Sequence, residues 1–243
     1  MDHDPAKCSA VSGGIKMHVL LLRLAGPMQS WGVQSRFTVR ETGKEPSKSG
    51  VIGLLCASLG RSRGEDISDL SSLRMGVRVD QEGTVAKDFH TASNILKADT
   101  TKGIKETEVS TRYYLEDAKF LVGLEGEDLT LLKDLANALK QPRWPQYLGR
   151  KSFVPGEPIW LKDGIRENTS LVEELKGYPW IGSCYIDDPP ETLRVIVEDT
   201  SGAEVRPDQP RSFSERRFAP RHTKTIFTAC PAEKKEYLCT SHD

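Results

Sequence analysis

The chain has 243 residues, 37% of them hydrophobic and 28% charged, with a formal net charge of −1. This is enough chain for one large domain, or a domain with an appendage, around a sizeable core. No stretch approaches the ~18 apolar residues of a membrane span, and MDHDPAKCSAVSGGIK lacks the apolar centre of a signal peptide, so a cytosolic globular protein is expected.

Residues 1–16 are expected to form a flexible leader, because patterned sequence begins at Met17. HVLLLRL (His18 to Leu24), closed by Gly26-Pro27, is the signature of a buried strand. It runs into Gln29, Ser30, Trp31 and Gly32, which bring an amide, a hydroxyl and an indole together; an exposed recognition loop is expected there, with burial of Trp31 left open. GKEPSK (43–48) is turn material. In the following SGVIGLLCASLG, Val51, Ile52, Leu55 and Leu59 fall at helical spacing, with Ser49 as N-cap and Gly60 as the stop. GKEPSKSG lacks the second glycine of a phosphate loop, which argues against a nucleotidase. Lys48, Ser49 and the free amides of a helix start could still hold a phosphate, and plain N-capping explains the same spacing.

LRMGVRV alternates Met75, Val77 and Val79 against Arg74 and Arg78, the pattern of a half-buried strand. AKFLVGL (118–124) predicts another strand. Glu127 to Lys140 predicts a helix with Leu132, Leu135, Ala136 and Leu139 on one stripe. Strands are also expected at Pro158 to Leu161 and Leu193 to Val197. The order strand, helix, strand, strand, helix, strand is the split βαβ or ferredoxin-like pattern. Residues 81–117 are too many for its hairpin loop and predict a protruding β-hairpin.

Charge is segregated along the chain. Lys140, Arg143, Arg150 and Lys151 fall in a stretch without acids, and Arg206 to Lys224 holds six basic side chains against two acids. Asp163 to Asp199 instead carries nine acids against Arg166, Lys176 and Arg194. This suits a protein with one face for a polyanion and another for protein partners, although a charge run is also what a solvated face looks like. In PRWPQYLGRKSF, Trp144 and Tyr147 could stack bases while Arg143, Arg150 and Lys151 meet phosphates; core packing of the two aromatics is the competing reading. His90, with Lys87 nearby and Tyr113 or Tyr114 on the opposing limb, is the histidine best placed for acid–base work. A lone strand histidine is more often structural. Cys8, Cys56, Cys184, Cys230 and Cys239 contain no CxxC pair. Cys230, Cys239 and His242 make at most a partial metal site, and neither metal nor cofactor is expected.

LLLRLAGPMQSWG, KSGVIGLLCASLG, DFHTASN and PQYLGRKSF together closely resemble the CasD family, the fifth Cas family, of type I-E CRISPR Cascade subunits. The resemblance covers Met17 to Leu161 and continues weakly through the basic C-terminal segment. It implies an α+β, modified ferredoxin-like (RAMP) fold over residues 17–165 with a β-hairpin thumb near 81–117, and a C-terminal extension, 166–243, packing on that core. It further implies an RNA-binding subunit that caps the 5′ handle of the CRISPR RNA. The expected neighbours are a CasC-like backbone subunit and a CasA-like large subunit, with target DNA met only through the complex. The positions expected to contact RNA are Gln29, Ser30, Trp31, Arg36, Arg40, Lys48, Ser49, His90, Arg112, Trp144, Tyr147, Arg150 and Lys151. Type I-C relatives cut RNA with a tyrosine and an adjacent lysine-histidine pair. Here Phe89 precedes His90, so a non-catalytic role is expected, and an endoribonuclease using His90, Lys87 and Tyr113 is the alternative.

Overall fold

A computed structural model describes residues 16–32, 38–96, 103–182 and 189–231. Residues 1–15 of the expected leader lie outside the described residues, as do Arg36, Cys8, Cys184, Cys239 and His242. The organising element is a seven-stranded sheet. Its first strand is β1 (His18–Ala25), next to the edge and antiparallel to both β7 (Lys119–Gly126) and the edge strand β8 (Trp160–Glu167). Beyond β7 lie β4 (Arg74–Gln81) and β9 (Thr192–Glu198), and β11 (Arg217–Ala229) and β10 (Glu204–Ser212) complete the order β10-β11-β9-β4-β7-β1-β8. The strands that follow residue 165 therefore continue the same sheet, and position 165 itself falls inside β8.

At β1 both faces of the sheet are covered, which is why HVLLLRL is an unbroken apolar run rather than an alternating one. Leu20, Leu22 and Leu24 pack with α1 (Lys48–Leu59) and α3 (Leu129–Lys140) on one side. Val19 and Leu21 meet Leu171 and Leu175 of α4 (Leu171–Gly177) on the other. A short helix, α2 (Ser68–Ser72), leads into β4.

Two expectations are corrected by this layering. Strand β4 is buried on both faces, because α4 lies over Gly76 and Arg78; a Cβ on Gly76 would meet Leu175 Cδ1 at 2.6 Å. The Arg78 guanidinium, with no exposed surface, donates to the carbonyls of Leu175, Tyr178 and Pro179 at 2.8, 2.5 and 2.8 Å, and it pairs with Asp80 at 2.8 Å. It thus satisfies the carbonyls at the end of α4, so its position reflects an internal cap rather than a solvated face. The α1 N-cap is Ser47, whose Oγ accepts from the Gly50 amide, and Ser49 lies within the first turn. Gly60 ends the helix in the left-handed conformation at φ 76°, as expected.

A second sheet stands off the first. Its core is a long hairpin of β5 (Thr84–Leu96) and β6 (Ile104–Glu116), paired from Thr84↔Glu116 to Leu96↔Ile104. Along its base, β6 also pairs antiparallel with β2 (Met28–Gln29) and parallel with β3 (Val39–Arg40).

Candidate nucleic-acid interface

The Gln29–Trp31 segment follows β1 and is tied down by a set of internal hydrogen bonds. Gln29 Nε2 donates to the Ala118 carbonyl at 2.6 Å, and its Oε1 accepts from Trp31 Nε1 at 3.0 Å. The Ser30 amide donates to the Leu148 carbonyl at 3.0 Å, and the Trp31 amide to Thr42 Oγ1 at 2.9 Å. Gln29 is wholly buried and Trp31 is 1% exposed, its ring lying against Gly50 of α1. The expectation of an exposed loop is corrected: the amide and the indole satisfy one another, so these two side chains hold the loop rather than face outward. Ser30, Trp31 and Gly32 of the same segment line a cleft.

The helix start is corrected in the same way. The Lys48 amide donates to Asp208 Oδ2 at 2.8 Å, and Asp208 is held by Arg221 at 2.6 Å. Lys48 Nζ, 1% exposed, pairs with Glu198 at 2.9 Å. A buried carboxylate therefore takes the place the helix start would offer to a phosphate.

Basic side chains converge next to this frame. A cleft of about 440 Å³ is lined by Ser30, Ser49, Arg40, Arg112, Arg150 and, on its rim, Phe218; Glu41 also borders it. The parallel pairing of β3 with β6 sets Arg40 directly opposite Arg112, a like-charge pairing that destabilises a sheet unless something offsets it. Arg150 arrives from the 142–153 loop and lies over the rings of Tyr114 and Phe153, 6.0 and 5.6 Å from their centroids. Burial and then the neighbouring charges of Arg112 and Arg40 lower the Arg150 pKa from its ordinary value. None of the three arginines forms an ion pair among the described residues. Asp88, which faces Arg112 across the hairpin, and Glu41 on the cleft wall offset part of this charge, and the three arginines leave an excess suited to an anion. Its geometry depends on Gly149, which adopts φ 89° and lies so close to the Ser30 carbonyl that a Cβ would sit 1.7 Å from the oxygen.

The other expected residues divide. Trp144 is 43% exposed and, with Tyr147, lines an adjoining groove. Lys151 is exposed at the turn after Arg150. The alternative catalytic set does not assemble. Lys87 and Tyr113 are direct cross-strand partners on one face of the hairpin, whereas His90 pairs with Ser110 on the opposite face, because strand side chains alternate.

Comparison with known proteins now decides the family. The pattern described as CRISPR-associated protein (Cas_Cas5) matches residues 19–224. The chain belongs to the Cas5 family. It is 38% identical over 216 residues to the CRISPR system Cascade subunit CasD of Escherichia coli K12, covering 82% of this chain and 93% of that protein. Among solved structures it is similar to a Cas protein crystal structure, with TM-score 0.69 and 47% identity over 88% of this chain and all of the other. It is also similar to a chain of a CRISPR RNA-guided surveillance complex, with TM-score 0.70 and 34% identity over 88% and 91% of the two chains.

In this Cas5-family chain, the residues that sequence reasoning missed come from the turn between β10 and β11 and the start of β11. Phe213 and Phe218, stacked edge-on with centroids 6.5 Å apart, wall both the cleft and the adjoining groove. Their neighbours in sequence are basic and polar, and only the net basic charge of Arg206 to Lys224 hinted that this segment meets the site. No helix among the described residues is long and apolar enough to cross a membrane, and no group of metal-ligating side chains occurs among them.

Proposed function

We propose that this chain is a non-catalytic CRISPR RNA-binding subunit of a type I-E Cascade, a cytosolic antiviral defence complex, and that it caps the 5′ repeat-derived handle. The observation that carries the reading is the convergence of Arg40, Arg112 and Arg150 from three separate segments, where they outnumber the nearby carboxylates of Asp88 and Glu41 and none forms an ion pair among the described residues. Like charges are assembled at such cost where a polyanion neutralises them. The 38% identity to CasD supports the complex, and the sheet order β4-β7-β1-β8 supports the ferredoxin-like reading. The β5–β6 hairpin is the thumb of this reading. It exposes Val85, Phe89 and Val109 for a CasC-like backbone neighbour, a CasA-like large subunit docks nearby, and target DNA is met only through the assembled complex. The separation of His90 from Lys87 and Tyr113 favours binding over cleavage.

The test is co-expression with repeat-derived RNA and the partner subunits. Arg112→Ala combined with Arg150→Ala is expected to lower RNA retained per complex by at least about tenfold, since charge-assisted hydrogen bonds contribute ~1.5–3 kcal/mol each. Retention unchanged in a normally folded double variant overturns the reading.

A further inference from the structure

Among the described residues the main sheet ends at β8, which pairs with β1 alone. Its open edge is interrupted. His18 to Leu20 pair with Glu167 to Ile165, and Leu22 pairs with Trp160, so the stretch Leu161 to Gly164 stands opposite Leu21 alone. A bulge of this size turns an edge strand away and bars a further strand from adding to it. Gly164 holds the bulge against β1, where a Cβ would come within 2.8 Å of the Leu21 carbonyl oxygen. Lys162 and Asp163 lie exposed on the bulge.

Between the bulge and α3 lies a hollow of about 550 Å³ that shares no residue with the arginine cleft or the groove beside it. Its floor is apolar: Ala136 of α3 with Trp160, Leu161 and Ile165 of β8, each half-buried against the core. Its rim is basic. Lys133, Lys140 and Lys162 line it against the single carboxylate of Asp163, and Asp134 on α3 does not reach it. Asp163 is already engaged by Arg166 at 2.8 Å and by the Tyr178 hydroxyl at 3.0 Å. Lys133 pairs with Glu167 at 3.0 Å, both side chains half-exposed, whereas Lys140 and Lys162 form no ion pair among the described residues. The Lys140 ammonium lies over the Trp160 ring, 5.3 Å from its centroid. The Trp160 indole N–H has no acceptor among the described residues.

We infer that this hollow docks an acidic segment of a neighbouring protein subunit, with one aliphatic side chain on the apolar floor and flanking carboxylates on the lysine rim. The inference goes beyond RNA binding and takes from the reading above only that the chain works inside a complex. Charge complementarity selects the occupant: two unpaired ammonium groups and a free indole N–H together favour carboxylates. A nucleic acid fits less well. The Trp160 ring is packed against the core and overlaid by Lys140, so a base finds little stacking surface there, and a phosphate backbone on the rim would leave the floor empty. The bulge excludes an added strand, so the segment enters by its side chains, as a helix or loop does.

The full chain is co-expressed with repeat-derived RNA and the partner subunits, with photoreactive benzoylphenylalanine placed at Lys162. Irradiation of the assembled complex and peptide mass spectrometry are expected to find a crosslink to one protein subunit, in a segment where Asp or Glu flanks an aliphatic side chain. Lys140→Glu combined with Lys162→Glu, both at exposed positions, is expected to lower retention of that subunit by at least about tenfold, because like charges then face each other. Its thermal midpoint shows whether it folds as the parent does, and RNA retained per copy of this chain is expected to stay at the parental level. A crosslink to nucleic acid, to a segment without carboxylates or to residues 1–15 of the same chain overturns the inference, as does no crosslink at all. So does a folded double variant that keeps every subunit, or that loses RNA in place of a subunit. In each of these cases a parent complex that still carries RNA leaves the RNA-binding reading standing. If the parent retains neither RNA nor a partner subunit, both fail.

Discussion

Arginine side chains supply the charge at the candidate interface, but small residues decide whether those charges meet. Gly149 is the clearest case, with positive φ and a Cβ position already filled by the Ser30 carbonyl. Gly149→Ala is expected to destabilise the fold by at least about 1–2 kcal/mol from the left-handed conformation alone, more from the clash with Ser30. Urea denaturation measures it, and a midpoint equal to that of the parent would contradict the geometry. The Gln29–Trp31 pair makes the complementary point. An amide and an indole two residues apart are visible in the sequence as polar groups seeking partners, yet the pattern cannot tell mutual satisfaction from an outside ligand. Only the fold, which brings the Ala118 carbonyl to Gln29 across 89 residues, separates the two.

Secondary-structure elements are held around the site by ion pairs that bridge long sequence distances. Glu45, 8% exposed in the turn before α1, is bonded by Arg194 of β9 and Arg206 of β10. Burial raises its pKa, but the two guanidinium groups outweigh burial and the net shift is downward. A carboxyl with a folded-state pKa below its unfolded value stabilises fully above that unfolded value of ~4.3 and ceases to do so as pH falls through the folded value. Glu45→Gln is therefore expected to be less stable than the parent at neutral pH, with the difference shrinking below about pH 4. A difference independent of pH in denaturation midpoints measured from about pH 3 to 7 would refute this. The elements themselves were largely legible: β1, α1, β4, β7, α3 and β9 all announce themselves through apolar periodicity and end signals. What periodicity could not show is which strands have a helix on both faces. Arg78 alternates like a solvent-facing residue and is fully buried, because α4 brings three carbonyls to it.

Across the whole molecule, a net charge of −1 conceals charge that is segregated along the chain, and folding pairs Arg206, Arg217 and Arg221 of the basic C-terminal segment with Glu45, Glu215 and Asp208. Binding to single-stranded RNA is expected to weaken with salt, and removing one arginine–phosphate pairing should reduce the log–log slope by ~0.7. Arg112→Ala should do so, whereas Arg74→Ala, which removes a pairing with Glu125 on the main sheet, should leave the slope unchanged. Equal slopes for all three proteins would argue that Arg112 meets no phosphate. The strings LRLAGPMQSWG and YLGRKS both border the cleft, and they supply its frame more than its charged groups. The aromatic walls at Phe213 and Phe218 lie more than 150 positions from α1 in sequence, beyond the reach of any local pattern.

The carboxylate of Asp208 on the first amide of α1 has a consequence for how the protein is made. Chains emerge from the ribosome N-terminus first, so α1 and all three cleft arginines are synthesised well before the strand that caps the helix and the turn that walls the cleft. A nascent chain, or one cut short before Glu198, carries the charges but leaves the helix start without Asp208 and buried Lys48 without its carboxylate partner. The finished interface is thus a property of the completed polypeptide, a built-in delay between making the basic residues and being able to hold a guide.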